Sequence, residues 1–463
     1  MNLSERIERV SADRNGSRTK RTRRKPTTRS ADWAVSKRRV RDVLIEELGS
    51  KLYAGSDEDE LGKLVASNLD TALRKAKVSV SASQRSRFVG EVTADLLGYG
   101  PLDEVLADDS VTEVMCNGHD DIYVERQGKI AAVDASFDDE AHFRQVIEKI
   151  VGSIGRRIDE AQPYVDARLP DGSRVNAVLP PIAVNAPVLT IRRFPAEPYE
   201  VKDLVNFGTL TVDVSVFIEA CVRGKLNVLI SGGTGTGKTT LLNVASAFIP
   251  EGERIITIED AAELRLHQPH VVSLEARPAN IEGAGEITIR DLVRNALRMR
   301  PDRIVVGEVR GAEALDMLQA MNTGHEGSLT TVHSNSPRDA ISRIETMVLM
   351  AGYDLPVRAI RQQIASAIDI IVHLDRFGDG SRHVTHVTEL QGLEGDTITL
   401  QDIFKYAFAS GGTQTAKSTG KLLSTGLRPK VAEQLRGSGV PISPKLFRPS
   451  ESASKLRAVG GRR

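Results

Sequence analysis

The sequence predicts an α/β protein in which a parallel sheet follows a smaller α+β domain. Strand-like runs alternate with helical patterns after residue 203, which is typical of a parallel sheet with covering helices. Between residues 109 and 194, short β segments surround one amphipathic helix, and this favours a separate α+β domain. Residues 42–108 show helical patterns. We therefore expect a helical leader before two folded domains.

With 463 residues, the chain is long enough for two or three domains. Changes in composition predict a basic tail at 1–41, a helical leader at 42–108, an α+β domain at 109–194, a linker at 195–202, an α/β domain at 203–410 and a second basic tail at 411–463. The linker is predicted from its prolines.

The formal net charge of zero conceals an uneven distribution of charge. Residues 1–41 carry +10, residues 411–463 carry +9, and the part between them carries −19. Both ends are poor in large apolar residues, so we expect disordered tails. Such tails could bind an anionic membrane surface, an acidic partner or nucleic acid, or could serve only to keep the protein in solution.

The two cysteines, Cys116 and Cys221, lie far apart in apolar surroundings. This usage is typical of a reduced cytoplasmic protein and argues against a disulfide framework or a cysteine-based zinc site. No apolar run approaches the ~18 residues of a membrane span, and the N-terminus has no apolar signal segment. We therefore expect neither a transmembrane helix nor a secretory signal.

Hydrophobic periodicity predicts the individual elements. The leader helices are expected at 43–53, 61–76 and 87–106. The α+β domain is expected to contain a helix at 141–155 and strands at 111–117, 121–129, 164–169, 173–180 and 187–194. The parallel strands are expected at 227–231, 254–259, 303–306, 328–333 and 370–374. Ser336 and Pro337 predict the start of a helix that ends at Gly352.

The glycine-rich loop after the first parallel strand is the most informative segment. It matches the pattern G-x-x-x-x-G-K-[ST] and comprises Gly232, Gly233, Thr234, Gly235, Thr236, Gly237, Lys238, Thr239 and Thr240. Between a strand and a helix, this motif predicts a phosphate site, because backbone N–H groups and a helix N-terminus surround an anion. Lys238 is expected to reach the β- and γ-phosphates, and the Thr239 hydroxyl is expected to ligate Mg²⁺.

Polar, titratable residues follow three further parallel strands. Glu259 and Asp260 end the second strand, Glu308 lies just beyond the third, and His333 ends the fourth. Because open α/β sheets bind ligands at the carboxyl ends of their strands, we expect these side chains beside the phosphate site. His325 is not part of a metalloprotease motif, since the next histidine is eight residues on rather than four.

Four segments also resemble the motifs of a known superfamily. GGTGTGKTT, ITIEDAAEL, RPDRIVVGEVRG and MNTGHEGSLTTVHSNSP occur in this order and spacing, and they resemble the Walker A, Asp box, Walker B and His box of the type II/type IV secretion ATPases. GRRIDEAQPYVDARLPDGSRVNAVLPP resembles the arginine-rich end of their N-terminal domain. GYGPLDEVLADDSVTEVMCNG and GLRPKVAEQLRGSGVPISPKLF are similar to the tight-adherence (Tad/Flp) pilus assembly branch.

The resemblance implies a RecA-like ATPase domain that binds ATP and Mg²⁺ against the N-terminal domain. Glu308 would polarise the attacking water, and Glu259 or Asp260 would assist the water or the metal. His333 would sense the γ-phosphate, and His325 would order its loop. The implied metal ligands are Thr239, Glu259 and Glu308. The implied arginines are Arg168 and Arg174, which complete the site, and Arg192 and Arg193, which lie at the nucleotide cleft.

The resemblance further implies a ring-shaped homo-oligomer, a hexamer, at the cytoplasmic face of the inner membrane. Such a motor pushes a polytopic platform protein so that pilin subunits leave the membrane. Two alternatives stay open. One is a motor for DNA or protein transfer in a conjugation-like system, which the basic tails would suit. The other is a non-hydrolysing, nucleotide-gated scaffold, which is disfavoured by the presence of Lys238, Thr239, Glu259 and Glu308.

Overall fold

The computed structural model of the protein describes residues 28–52, 58–126, 128–169, 171–193, 198–277, 279, 284–408 and 420–449. Its helices are α1 (Thr28–Leu52), α2 (Glu58–Lys75), α3 (Ala82–Leu97), α4 (Leu102–Leu106), α5 (Glu140–Ser153), α6 (Val201–Asn206), α7 (Val212–Arg223), α8 (Lys238–Ser246), α9 (Ile289–Ala296), α10 (Glu313–Asn322), α11 (Pro337–Met350), α12 (Val357–Ala367) and α13 (Val431–Gly437). Its strands are β1 (Val111–Asn117), β2 (Ile122–Arg126), β3 (Lys129–Ala132), β4 (Tyr164–Arg168), β5 (Arg174–Val178), β6 (Val188–Arg192), β7 (Val228–Gly232), β8 (Ile255–Glu259), β9 (Val271–Glu275), β10 (Arg303–Val309), β11 (Leu329–His333), β12 (Ile370–Arg376), β13 (Arg382–Glu394), β14 (Thr397–Phe408) and β15 (Gly420–Ser424).

These elements form two compact units. The first contains the described residues up to Val124, together with 131–169 and Arg174–Arg192. The second contains the described residues from Arg193 onward and two short segments, Glu125–Ile130 and Asp171–Ser173.

The first unit is built around an antiparallel sheet. Its six strands run in the order β3-β2-β1-β6-β5-β4, and β6 pairs with both β1 and β5. Helix α5 contributes Phe143, Val146, Ile147 and Ile150 to the core of this unit, at the i, i+3, i+4, i+7 spacing of one helix face. The helix and the five strands predicted here are confirmed, whereas β3 was not predicted separately.

The leader helices α1, α2 and α3 share a small apolar core of their own. It contains Val40, Leu44, Val65, Leu69, Phe88 and Val92. The first two predicted leader helices are confirmed, whereas the third, expected as one helix at 87–106, is divided into α3 and α4. Helix α1 already begins at Thr28. The prediction of a disordered tail is therefore wrong for residues 28–41, where the apolar residues of α1 are few but pack on two neighbouring helices; residues 1–27 lie outside the described part of the chain.

A buried ion network ties α1 to the start of α5. The Lys37 ammonium lies 3.3 Å from both the Asp95 and the Asp138 carboxylates and 3.4 Å from Glu91. Burial acts to lower the pKa of Lys37, but these carboxylates outweigh it, so the pKa is raised above its ordinary value of 10.5. The Asp138 backbone N–H donates to His142 Nδ1, which leaves the ring proton on Nε2, facing Asp95.

The second unit is a nine-stranded sheet in the order β15-β14-β13-β12-β7-β11-β10-β8-β9. The strands from β12 to β9 in this order pair in parallel. β7, β8, β10, β11 and β12 are mostly buried, as expected of strands covered by helices on both faces, and these five are the predicted parallel strands, which are confirmed. The sixth, the half-exposed edge strand β9, was not predicted. The antiparallel extension β13–β15 was not predicted.

The end of the chain corrects a second prediction. Residues 411–463 were expected to be a disordered tail, but β15 pairs antiparallel with β14 and α13 follows it. Leu435 and Phe447 are buried against the core of the second unit, and this tertiary packing stabilises a segment that is locally poor in apolar residues. Residues 411–419 and 450–463 lie outside the described part of the chain.

Both cysteines are buried free thiols, and burial raises the pKa of Cys116 to about 12.

Within the described ranges, each helix is too short or too polar to cross a lipid bilayer.

Replacing Lys37 with Met should destabilise the first unit by about 3 kcal/mol, because it leaves buried carboxylates without their cation. Thermal and denaturant unfolding would measure this loss. Lys75→Met is the matched control, since Lys75 pairs with Glu47 at an exposed position and should change stability little. Equal effects of the two substitutions would contradict a buried ion network.

Candidate functional site

The glycine-rich loop joins the buried strand β7 to the N-terminus of α8. At Gly232 a Cβ atom would lie 2.5 Å from the Leu374 carbonyl oxygen and 2.7 Å from Thr236 Oγ1, so any side chain there would displace the backbone. Gly237 precedes α8 with φ +96°, a conformation that glycine adopts without strain. These two glycines let the backbone turn sharply between β7 and α8.

The Lys238 side chain contacts the backbone of the glycine-rich loop. This side chain is buried, and its ammonium donates to the Gly233 carbonyl oxygen at 2.8 Å. The same nitrogen lies 3.2 Å from His333 Nε2. Thr236 Oγ1 also donates to Gly233, at 3.0 Å. A positive charge is thus held at the mouth of the loop, next to the N-terminus of α8.

His333 links this lysine to a carboxylate. Its Nε2 lies 3.1 Å from Glu308 Oε1. Burial and the Lys238 ammonium lower the pKa of His333 below its ordinary value of 6.5, against the opposite effect of Glu308. A neutral imidazole nitrogen either donates or accepts, so Nε2 can accept from Lys238 or donate to Glu308 but cannot do both.

Strand pairing explains why these residues meet. β11 pairs with β7 so that His333 lies opposite Gly232, and β10, which carries Glu308, pairs in parallel with β11. Parallel strands end at the same edge of a sheet, where open α/β proteins bind ligands. Lys238, His333 and Glu308 are therefore brought together as the sequence predicted, although their catalytic roles stay predictions.

The two other predicted carboxylates have different surroundings. Glu259 is buried, and its carboxylate accepts the backbone N–H groups of Glu263 and Leu264 at 2.9 and 3.1 Å. Asp260 forms an ion pair with Arg310 at a more exposed position. Glu259 therefore holds the turn after β8, and Asp260 is the more accessible of the two.

His325 lies at the opposite end of β11 from His333. Five residues of strand separate the two sheet edges, which corresponds to about 16 Å. The Ser328 hydroxyl donates to the His325 carbonyl oxygen at 2.8 Å, and Arg303 Nη1 donates to the Gly327 carbonyl oxygen at 3.2 Å. The structure thus places His325 in the loop before β11, away from the glycine-rich loop of the same chain.

The predicted arginines Arg168, Arg174 and Arg192 form a row in the first unit. Arg168 lies opposite Arg174 across β4 and β5, and Arg174 lies opposite Arg192 across β5 and β6. Arg193 follows directly and begins the main part of the second unit. Neighbouring strands therefore place three guanidinium groups at one level of the antiparallel sheet.

Sequence reasoning missed residues that border the glycine-rich loop. A cavity of about 370 Å³ is lined by Gly233, Thr234, Thr236, Ser334, Asn335, Asp375 and Arg376. Asp375 and Arg376 end β12, which pairs in parallel with β7. Glu308 was identified because ligands bind at the carboxyl ends of parallel strands. The same reasoning would have identified Asp375 and Arg376, because they too follow a predicted strand (370–374) at the ligand-binding edge.

The fold and the site together define a class of α/β proteins in which a glycine-rich loop leaves the centre of a parallel sheet. A model of the family described as type II/IV secretion system protein matches residues 95–405. The chain belongs to this family.

The chain is also similar to individual proteins. A putative conjugal transfer protein of Mycobacterium tuberculosis is 39% identical over 307 residues, which cover 65% of this chain and 87% of the relative. The type IV secretion system protein VirB11 of Bartonella henselae is 34% identical over 281 residues, covering 52% and 78%. The crystal structure of the Brucella suis VirB11 ATPase in complex with sulphate is 29% identical, covers 62% of this chain and 94% of that chain, and has a TM-score of 0.34.

Glu259→Gln should lower the stability of the second unit by about 1–3 kcal/mol, because an amide cannot replace a carboxylate that accepts several backbone N–H groups. Asp260→Asn, in an exposed ion pair, should cost less than about 1 kcal/mol. Thermal unfolding of both variants would test the difference. If Asp260→Asn were the more destabilising change, the assignment of Glu259 to the turn after β8 would be wrong.

Proposed function

We propose that this chain is an ATPase motor of a type II/IV secretion machine that assembles a pilus of the tight-adherence type. The observation that carries this proposal is the convergence of Lys238, His333 and Glu308 at the mouth of the glycine-rich loop. A cation, a neutral imidazole and a carboxylate at a helix N-terminus suit the binding and hydrolysis of a nucleoside triphosphate.

The residues at the loop suit Mg²⁺ as the companion ion. Thr239 in the first turn of α8 and Glu308 at the end of β10 offer a hydroxyl and a carboxylate oxygen, the hard donors that Mg²⁺ prefers. When bound, Mg²⁺ neutralises charge on the phosphate oxygens. Lys238 would transfer its contacts with the Gly233 carbonyl oxygen and His333 Nε2 to phosphate oxygens, and the Nε2–H tautomer of His333 could then donate to Glu308. Glu308 would orient the attacking water.

The arginine row would complete the site. Arg168 and Arg174 lie opposite each other, and planar guanidinium groups bind phosphate oxygens bidentately. Arg192 and Arg193 would lie at the same nucleotide cleft. We propose that the triphosphate draws the first unit toward the second because these side chains gain a γ-phosphate partner, so that closure follows from differential contact.

The proposed motor works as a ring-shaped homo-oligomer, a hexamer, at the cytoplasmic face of the inner membrane, on a polytopic platform protein.

A second candidate function is DNA or protein transfer, which is favoured by the names of the conjugal transfer and type IV secretion relatives. Deleting the gene separates the two: loss of pili with normal transfer supports pilus assembly, and the reverse supports transfer.

Lys238→Ala should weaken ATP binding by about tenfold or more, because it removes a charged hydrogen-bond donor from the loop. Glu308→Gln should keep ATP binding but lower turnover by about 100-fold or more, because it preserves shape and removes the carboxylate. Equilibrium binding and steady-state phosphate release would measure both. Near-normal turnover of Glu308→Gln would reject Glu308 as the key carboxylate, and turnover absent from the wild-type protein would favour a non-hydrolysing scaffold.

Arg168→Ala and Arg174→Ala should each lower turnover by about tenfold or more while leaving ADP affinity nearly unchanged, because the missing contact would be to the γ-phosphate. Particle mass, measured beside turnover, controls for a loss of assembly. Equal losses of ADP and ATP affinity would argue for a structural role of the arginine row.

A further inference from the structure

We propose that Arg376 is a phosphate-binding residue from the same chain, which contacts the terminal phosphate of ATP at the outer side of the glycine-rich loop. This inference rests on the proposed function and adds to it a residue outside the four motifs that revealed the family resemblance. It concerns only residues of the second unit.

The position of Arg376 follows from strand pairing. β12 pairs in parallel with β7, and Leu374 lies opposite Gly232. Arg376 therefore extends past the sheet edge at which the loop begins, and it lines the cavity with Gly233, Thr234 and Thr236. A Cβ atom built on Gly235 would lie 3.2 Å from Arg376 Nη1, so the guanidinium already lies against the tip of the loop.

A buried polar chain fixes the backbone that carries Arg376. Ser231 Oγ lies 2.8 Å from His373 Nδ1, His373 Nε2 lies 3.6 Å from Asp375 Oδ1, and Thr385 donates to Asp375 at 2.8 Å. The serine is fully buried, so this Ser-His-Asp order is not a nucleophilic triad. Together with the pairing of β12 and β7, the contact between Ser231 and His373 instead fixes the residues before the loop relative to the residues before Arg376.

Arg376 has partners that a phosphate can replace. Its guanidinium donates to the Gly128 carbonyl oxygen and lies 3.5 Å from the Glu125 carboxylate, both within a segment of the second unit. Arg382 lies 3.8 Å from the same carboxylate. If Arg376 turned to a phosphate, Glu125 would keep Arg382 as its cation, so no carboxylate would be left buried without a counter-charge.

The lining of the cavity indicates which phosphate Arg376 contacts. Ser334 and Asn335 line the same cavity and directly follow His333, the proposed sensor of the γ-phosphate. The guanidinium would therefore meet the end of the triphosphate chain, which ADP lacks. Its planar fork matches two phosphate oxygens, whereas a lysine at this position could offer only a point charge.

The test compares Arg376→Gln and Arg376→Lys with the matched control Arg358→Gln, which removes an exposed arginine of α12 paired with Asp396. Affinities for adenylyl imidodiphosphate and for ADP, steady-state turnover and melting temperature would be measured on the full chain. Arg376→Gln should weaken binding of the triphosphate analogue about tenfold or more and change ADP affinity much less. Arg376→Lys should be intermediate, and the control should match the wild-type protein.

The possible failures are distinguishable. If the wild-type protein bound neither nucleotide, the proposed function and this inference would both be overturned. If it bound and hydrolysed ATP but Arg376→Gln kept the wild-type preference for triphosphate over diphosphate, only the inference would be wrong. A parallel loss of both affinities, or a lowered melting temperature without a change in that preference, would assign Arg376 to loop structure and would also overturn it.

Discussion

The site depends on the contacts of one buried ammonium group, that of Lys238. The cost of burying a charge is met only by close polar partners, and Lys238 has the Gly233 carbonyl oxygen and His333 Nε2 within 3.2 Å. These two partners are neutral dipoles. A phosphate that displaced these two dipoles would leave no uncompensated negative charge on either of them.

The parallel sheet makes this arrangement possible. β7, β10, β11 and β12 end at one edge. β7 leads there into the glycine-rich loop, and β10, β11 and β12 deliver Glu308, His333 and Asp375. Side chains that are far apart in the sequence thus meet because backbone hydrogen bonds fix the register. A shift of the register by one residue would turn His333 to the other face of the sheet. The buried hydrogen bond between Ser231 and His373 opposes such a shift between β7 and β12.

The sequence alone predicted those features of the fold and the site that local residue patterns determine. The glycine-rich loop and the strands that carry Glu308 and His333 are each recognisable from a short stretch of sequence. Because open α/β sheets bind ligands at the carboxyl ends of their strands, the sequence also predicted that these residues lie together. The role of Glu259 at the turn after β8 could not be predicted, because a carboxylate at a strand end fits both a metal site and backbone N–H groups. Residues 420–449 were misassigned because β15 gains its stability from pairing with β14, which no local composition reveals.

The surroundings of the site also limit how it can respond to a ligand. A ligand shifts a conformational equilibrium only by its differential affinity for the two states. Around the glycine-rich loop, Lys238 and Arg376 each donate a hydrogen bond to a backbone carbonyl oxygen. Such an oxygen is an acceptor like a phosphate oxygen. Each cation would exchange existing acceptors, which for Arg376 include the Glu125 carboxylate at 3.5 Å, for phosphate oxygens. The gain therefore comes from the difference in charge between the acceptors rather than from forming a contact where none existed. A terminal phosphate that engages both cations would therefore produce a larger shift than a diphosphate that engages one.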